Sequence, residues 1–248
     1  MNKLLFFVSM LIAGTAQAQI TDSLHTARHC TYMKPEEREM IYEINRLRSN
    51  PRSYLPYIEP LLAQARQYLK KHGKGDRHFS LTYVTQTIND KKTTRIDTTW
   101  HYRNEEEVKA LSTLVSDLKK ISRLSILQPD SGIYAAARKH AGDQGNHNWR
   151  LMHTGSDGSS PRDRIRAFSP GMSFGNENIA GNSSKNTTPR SIIIQLLVDS
   201  GIPGYGHRYN ILNPKWTHVA CTWDYYKDYM HWWIQNFGQQ QDHTSYHP

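Results

Sequence analysis

Apolar positions recur at helical spacing in several segments of the chain. In the first, from Pro35 to Leu47, acidic residues come early and arginines late, the order that the helix dipole favours. An alanine-rich segment from 129 to 145 starts with capping residues and closes on glycine, which predicts a well-formed helix. The pattern predicts helices over 36–50, over 54–69 with a start after Pro60, over 105–121, over 129–145 and over 191–200.

Segments rich in Thr, Tyr, Val and aromatic residues predict strands in two places. One pair of such segments flanks a polar turn and predicts a β-hairpin over 79–102, inserted between helices. Another pair alternates along 217–237 and predicts a terminal hairpin with an aromatic face. The intervening segment 146–171 is dense in Gly, Ser, Pro, Asp and Arg, so we expect a long loop there.

The N-terminus has the features of a secretory signal. Lys3 precedes an apolar run from Leu4 to about Ala13, and the small-residue pattern 16–18 follows, which predicts cleavage after residue 18. The run is too short for a permanent span, and no later segment approaches the roughly 20 apolar residues that a span needs. We therefore expect a secreted or periplasmic protein without a transmembrane helix.

The chain is basic, with 31 Lys and Arg against 22 Asp and Glu and a formal net charge of +9. The cations are dispersed along the chain, and an exported protein rarely meets nucleic acid, so we do not expect a nucleic-acid partner. Anionic envelope polymers or lipid head groups are the partners that such a surface favours. With 248 residues the chain can form a sizeable core, and we expect a monomer.

The only two cysteines, Cys30 and Cys221, lie far apart in the sequence. In an oxidising compartment two such residues most often pair, so we predict a structural disulfide that ties the N-terminal segment to the last sheet. Two free thiols are the alternative.

Four polar residues of the C-terminal half occur in settings that indicate a site. Asp199 falls at the edge of an apolar helical stripe, where a carboxylate must find a partner or shift its pKa. The turn Gly-Ile-Pro-Gly at 201–204 can bring His207 back toward it. His153 begins a glycine-rich loop, and Glu177 lies between asparagines. Two imidazoles and two carboxylates can bind a divalent metal, act as general acid and base, or hold loops together.

Other polar residues nearby have simpler interpretations. His140 lies on the alanine-rich helix, and we predict that it is a packed core histidine outside the site. Arg164 belongs to the loop after His153, and we predict that it pins this loop by charged hydrogen bonds.

The segment 171–175 matches G-x-S-x-G, and Ser173, Asp199 and His207 follow the chain order of an α/β-hydrolase triad. A nucleophile elbow needs a strand before the serine and a helix after it. Here Phe-Ser-Pro precedes the motif and an extended segment follows, so the context does not favour an elbow.

Five segments, in this order along the chain, resemble the bacterial branch of the CAP superfamily. Domains of this superfamily are also called SCP or TAPS domains. The alanine-rich helix is followed by His153, by Gly-Asn-Glu-Asn-Ile at 175–179, by Asp199 and by Gly-His-Arg-Tyr-Asn-Ile-Leu at 206–212. The closing Trp-Trp-Ile-Gln-Asn-Phe-Gly at 232–238 resembles the final strand of these domains.

The resemblance implies an α+β fold, a three-layer α-β-α sandwich, with a cleft that holds a tetrad formed by His153, Glu177, Asp199 and His207. Two departures from the family pattern occur, because Asp199 stands where many members have Glu, and Asn176 is inserted into the usual Gly-Glu-Asn run.

With this resemblance the chain is expected to consist of a signal peptide (1–18), an N-terminal tail (19–34), a CAP-like domain (35–238) with an insertion at about 60–122, and a C-terminal tail (239–248).

The function that the resemblance implies is binding of a lipid, glycan or peptide ligand in the cleft rather than catalysis. Zinc or another divalent cation would be held by His153 and His207, with Glu177 and Asp199 as further ligands or as groups that support them. The alternatives are a hydrogen-bond cluster that only orders loops, an interaction module that docks a partner through the 79–102 hairpin, and a hydrolase. As a peptidase or esterase, the protein would use His153 or His207 as base, with Glu177 as its partner or as the acid.

Overall fold

A computed structural model describes residues 23–88, 91–146, 152–182, 187–225 and 231–240. The predicted signal peptide and most of the predicted C-terminal tail lie outside these residues. None of the described helices combines the length and the apolar character that a membrane span requires.

Helices and strands both contribute to the fold. The helices are α1 (Pro35–Ser49), α2 (Leu55–His72), α3 (Arg103–Lys120), α4 (Ser131–Asn146), α5 (Pro161–Phe168), α6 (Pro189–Val198) and α7 (Gly206–Leu212). The strands are β1 (Arg77–Ile88), β2 (Lys91–Tyr102), β3 (Gln128–Pro129), β4 (Met172–Asn182), β5 (His218–Tyr225) and β6 (His231–Gln240). The predicted helices and both predicted hairpins are therefore confirmed as elements.

Two predictions about helices need correction. The second helix begins at Leu55 instead of after Pro60, because a short 3-10 turn leads directly into it and Pro56 occupies its first turn, where proline is tolerated. Pro60 lies inside this helix. The predicted loop 146–171 contains the helix α5. This helix has a full capping box, in which Ser160 and Asp163 satisfy each other's backbone N–H groups, and a proline occupies its first position.

The chain divides into two compact units. Unit 1 comprises the chain up to Ser49, Leu124–Ile192 and the chain from Pro214 onward, and unit 2 comprises Asn50–Arg123 and Ile193–Asn213. The predicted insertion at about 60–122 therefore belongs to unit 2, which also includes most of α6 and all of α7.

Unit 1 is a three-layer α-β-α arrangement around one sheet with strand order β3-β5-β6-β4. Ile179 of β4 and Ile234 of β6 pair across the sheet and pack against Ala137 and Ala141 of α4. Gln235, the next residue along β6, points to the opposite face, where its Nε2 lies 3.2 Å from the sulfur of Met40 in α1. Helices α4 and α1 thus cover opposite faces of the sheet, as the predicted fold class requires.

The predicted disulfide is wrong, because both cysteines are free thiols. Cys221 is fully buried in β5, where it pairs in register with Gln235 and shares the sheet face that α1 covers. Cys30 lies in the turns before α1, and Arg38 donates to its carbonyl oxygen. Helix α1, which follows Cys30, is joined to β5 by hydrogen bonds from Thr222 Oγ1 and Trp223 N to the buried Glu37.

Unit 2 contains α2, α3 and the two-stranded β1–β2 hairpin, whose register runs from Arg77 opposite Tyr102 to Ile88 opposite Lys91. Arg208 of α7 is buried and ties the 193–213 segment to α3. Its guanidinium donates to the carbonyl oxygens of Leu197, Val198 and Ala110 and to the side chains of Thr113 and Asp117.

Free thiols lead to a test by chemical labelling. Burial raises the pKa of the Cys221 thiol well above its ordinary value, so this thiol should react with a disulfide reagent only after unfolding, whereas the partly exposed Cys30 should react in the folded protein. Because there is no bridge to reduce, a reductant should leave the melting temperature unchanged. A fall of several degrees in reductant would instead reveal a disulfide.

Candidate functional site

Glu177 is the centre of a buried polar cluster in unit 1. It lies on β4, and only 2% of its surface is exposed. Its carboxylate accepts hydrogen bonds from Arg164 Nη2 at 3.1 and 3.0 Å, and its Oε1 lies 3.1 Å from His153 Nδ1. Nε2 of His140 lies 3.5 Å from the same oxygen. A buried carboxylate in this cluster is therefore balanced by a permanent cation and faced by two imidazoles.

Arg164 holds the glycine-rich loop against this carboxylate. The same guanidinium donates to the carbonyl oxygens of His153 at 3.0 Å and of Ser159 at 2.8 Å. Loop pinning by Arg164 is thus confirmed, and the structure adds a direct ion pair with Glu177. Because a buried Arg already neutralises it, Glu177 is better suited to hold His153 than to ligate a metal.

Asn236 of β6 faces Glu177 across the sheet, since the two residues pair in register. With its amide nitrogen toward the carboxylate, Asn236 donates to Glu177 Oε2 at 3.0 Å and accepts from the backbone N–H of Ala137 at 3.3 Å. The strand pairing therefore provides another donor to the buried acid.

His140 is a member of this cluster, although the sequence analysis left it outside the site. It is buried on α4, and its Nε2 lies 2.8 Å from the carbonyl oxygen of Met152. Burial lowers its pKa from the ordinary 6.5, Glu177 opposes that shift, and Arg164 adds to it. One signal could have found it: His140 shares a helix face with Ala137 and Ala141, which pack on the sheet.

Asp199 and His207 form a pair in unit 2, so the predicted partnership is confirmed. His207 Nδ1 lies 2.7 Å from Asp199 Oδ1, and the backbone N–H of His207 donates to Oδ2 at 2.9 Å. The predicted helical position of Asp199 needs correction, because α6 ends at Val198 and Asp199 adopts a left-handed φ of 53°. That conformation, uncommon for a residue other than glycine, turns the chain so that the carboxylate meets the start of α7.

The four predicted residues thus form two histidine–carboxylate pairs, one in each unit. In both pairs the carboxylate contacts Nδ1 of the ring, which leaves Nε2 as the nitrogen through which that ring would coordinate a metal or accept from a ligand. Across the described part of the chain, no three His, Cys, Asp or Glu side chains are grouped so that they could hold a metal ion. The donor set therefore fits imidazole coordination with supporting carboxylates, but not a closed site with four ligands.

Ser173 does not lie on a nucleophile elbow. It is the second residue of β4, and its hydroxyl donates to the carbonyl oxygen of Gln239 on β6 at 3.1 Å. The motif is thus part of a strand pair instead of a strand-to-helix turn, as its sequence context predicted.

The family model described as "CAP: Cysteine-rich secretory protein family" matches residues 41–237, which include both histidine–carboxylate pairs. The chain belongs to the CAP family. The family predicted from the sequence is therefore confirmed, and no curated protein sequence matches this CAP protein significantly.

Two solved structures are similar to this CAP protein. An outer surface protein from Borrelia burgdorferi is 20% identical, with a TM-score of 0.41 over 55% of this chain and 95% of that one. An extracellular protein containing an SCP domain from Bacillus anthracis strain Ames is 14% identical, with a TM-score of 0.39 over 71% of each chain.

Removing the cation from the Glu177 cluster should be costly. We expect Arg164→Met to lower the free energy of unfolding by about 3 kcal/mol, because it leaves a buried carboxylate without its counter-charge. Adding Glu177→Gln in the same chain should restore a substantial part of this loss. Urea denaturation of the single and double variants measures both effects.

The matched control is Arg162→Met on the same helix, because Arg162 is exposed and contacts the ring of Phe174 instead of a buried acid. Its effect should stay within about 0.5 kcal/mol. An equal loss for the two arginine variants would show that the ion pair is not what stabilises this cluster.

The lowered pKa of His140 predicts how stability changes with pH. Between the unfolded value of 6.5 and the lower folded value, the unfolded chain binds more protons at this residue. The stability that the neutral ring provides is therefore present above pH 6.5 and lost as the pH falls through this window.

His140→Gln, which keeps a donor for the carbonyl of Met152, should flatten this part of the stability curve, measured by urea unfolding in chelator-containing buffer. The control His29→Gln, on an exposed turn, should keep the full slope. If His140→Gln also keeps the full slope, His140 is not the residue that causes it.

Proposed function

We propose that this CAP protein acts outside the cytoplasm as a binding protein for a lipid, glycan or peptide ligand, and that His153 and His207 provide its polar contacts. The observation that carries the proposal is the same geometry in both pairs, with a carboxylate oxygen 3.1 Å from Nδ1 of His153 and 2.7 Å from Nδ1 of His207. The predicted export signal and the family membership support an extracellular location.

A carboxylate on Nδ1 selects the tautomer that carries its proton there, which makes Nε2 the basic nitrogen. It also restricts rotation of the ring, so less entropy is lost when a ligand binds. His153 exposes 51% of its side chain and His207 exposes 20%, so solvent reaches both residues. Such rings can accept from a ligand hydroxyl or amide, or coordinate a divalent cation.

At either pair, zinc or another divalent cation would be held through Nε2 of the histidine, and it would supply a positive contact for a ligand oxygen. Glu177 and Asp199 would support the rings and would not act as ligands. The ion pair between Glu177 and Arg164 favours this division of roles, because an anion shared with a buried guanidinium is a poor ligand.

Binding is favoured over hydrolysis because the serine candidate is placed unfavourably. Ser173 lies in a strand and donates to a backbone carbonyl, whereas an activated nucleophile needs a neighbouring base. The hydrolase alternative would therefore need a nucleophile other than Ser173.

Zinc titration of metal-stripped protein tests the role of the histidines. We expect His153→Ala and His207→Ala each to weaken zinc binding at its own pair at least about tenfold, measured by isothermal titration calorimetry. Asp199→Asn should also weaken it by about 10- to 100-fold, because a supporting carboxylate raises the basicity of its ring.

His29→Ala, which removes an exposed histidine from the N-terminal turns, is the control and should bind zinc like the wild type. Equal affinity in the wild type and in both alanine variants would remove the metal from the proposal. Lipid, glycan and peptide panels screened with the same proteins then test ligand binding itself. A ligand bound equally by wild type and variants would contradict a role for these histidines.

A further inference from the structure

The hairpin of β1 and β2 has two chemically different faces. The register pairs Phe79 with Trp100 and Ser80 with Thr99, so alternate positions divide the side chains between the faces. One face, here called the apolar face, carries the large apolar residues Phe79, Leu81, Ile96, Trp100 and Tyr102. The other, the polar face, carries His78, Ser80, Arg95, Asp97, Thr99 and His101.

The base of the polar face lies against the hairpin's own unit, whereas Arg95, Asp97 and Thr99 of this face are exposed. Ser80 Oγ donates to the carbonyl oxygen of Gly201, and the ring of His101 lies beside the same glycine. The hairpin thus contacts its unit through polar residues, whereas hairpins usually pack their apolar face on the core.

The apolar face is exposed as a consequence. Phe79 and Ile96 each expose 55% of their surface and Trp100 exposes 53%, and Leu81 and Tyr102 are also exposed. Phe79 and Trp100 contact each other with ring centroids 5.3 Å apart, so the patch is continuous across the two strands. Contiguous apolar surface of this kind marks a place where a protein meets a partner or a membrane.

Cations lie at the base of this face. The guanidinium of Arg77 stacks on Trp100 at 4.4 Å, and Lys74 lies 5.4 Å from the ring of Tyr102 while it also pairs with the exposed Glu105. Among the described side chains of the apolar face there is no acid. The whole chain carries a formal charge of +9, which attracts it to anionic surfaces.

We propose that the apolar face of the hairpin docks on an anionic lipid surface. Trp and Tyr favour the boundary between head groups and acyl chains, because their rings are apolar and keep one polar group. Arg and Lys bury their aliphatic stems while the charged ends reach lipid phosphates, and Arg77 and Lys74 already lie over aromatic rings of the patch. The apolar residues enter the interface, and the polar face stays on the protein.

This role is separate from the proposed function. The hairpin brings the protein to a surface, whereas the histidine pairs bind a ligand. Vesicle binding should therefore persist in His153→Ala and His207→Ala, so that failure of one proposal leaves the other standing.

Co-sedimentation of the mature chain with vesicles tests the docking. The protein should bind vesicles of phosphatidylglycerol and phosphatidylcholine in equal parts more tightly than vesicles of phosphatidylcholine alone, and added salt should weaken the binding. Phe79→Thr combined with Trp100→Thr should lower the partition coefficient at least about tenfold, because two large apolar side chains no longer enter the interface. Threonine is chosen because it suits a strand.

Two further variants keep the test informative if the double threonine variant loses its hairpin, as judged by circular dichroism. Arg77→Gln combined with Lys74→Gln leaves the apolar residues in place and should reduce binding to the mixed vesicles only. Tyr68→Ser removes an equally exposed aromatic residue from α2, outside the hairpin, and should bind like the wild type.

Three results would overturn the proposal. They are absence of binding to either vesicle, equal binding by the folded double threonine variant, and equal binding to neutral and mixed vesicles. A dimer seen by sedimentation velocity that disappears in the double threonine variant, without vesicle binding, would assign the face to a second copy of the chain instead.

Discussion

The buried charge of Glu177 is the constraint on which the rest of unit 1 depends. A carboxylate placed inside a sheet must be matched by donors, because water no longer solvates it. Its donors come from three parts of the chain: Arg164 from α5, His153 from the loop and Asn236 from the neighbouring strand. The ring of His140 on α4 lies 3.5 Å from the same carboxylate, while its Nε2 bonds to the carbonyl oxygen of Met152. Satisfying one acid therefore brings α4, α5 and the glycine-rich loop to the same end of β4.

In unit 2 the buried charge that must be matched by partners is positive. The guanidinium of Arg208 is buried against carbonyl groups of α3 and of the end of α6, and Asp117 supplies the counter-charge. With α7 held in this way, the left-handed turn at Asp199 brings a carboxylate to Nδ1 of His207, the neighbour of Arg208. In both units a structural ion pair or buried cation therefore lies beside a histidine whose Nδ1 contacts a carboxylate.

The chemistry that follows from this arrangement is that of oriented imidazoles. Each acid is engaged by its own unit, so the histidines are the groups that can meet a ligand. The hairpin adds a different kind of surface, in which aromatic residues and cations are exposed while Ser80 and His101 of the polar face contact Gly201. The proposed ligand binding and the proposed attachment to a surface would thus depend on different residues of this CAP protein, and variants can separate them.

The sequence alone determined much of this fold. Periodicity located the helices and both hairpins, since spacings of 3.6 and 2 residues depend only on local burial, and the order of short motifs identified the family. It also named Glu177, Asp199 and both paired histidines. It missed α5, because a capping box stabilises a short helix within an otherwise loop-like composition.

What the sequence could not determine was which residues meet across the sheet and between helices. Strand register and the orientation of each helix decide three features of the structure. They are the position of His140 beside Glu177, the ion pair of Arg164 with Glu177, and the separation of Cys30 from Cys221. The left-handed turn at Asp199 and the outward aromatic face of the hairpin also depend on how their neighbours pack. These are long-range contacts, and local propensity carries little information about them because their free energy arises only after the chain has folded.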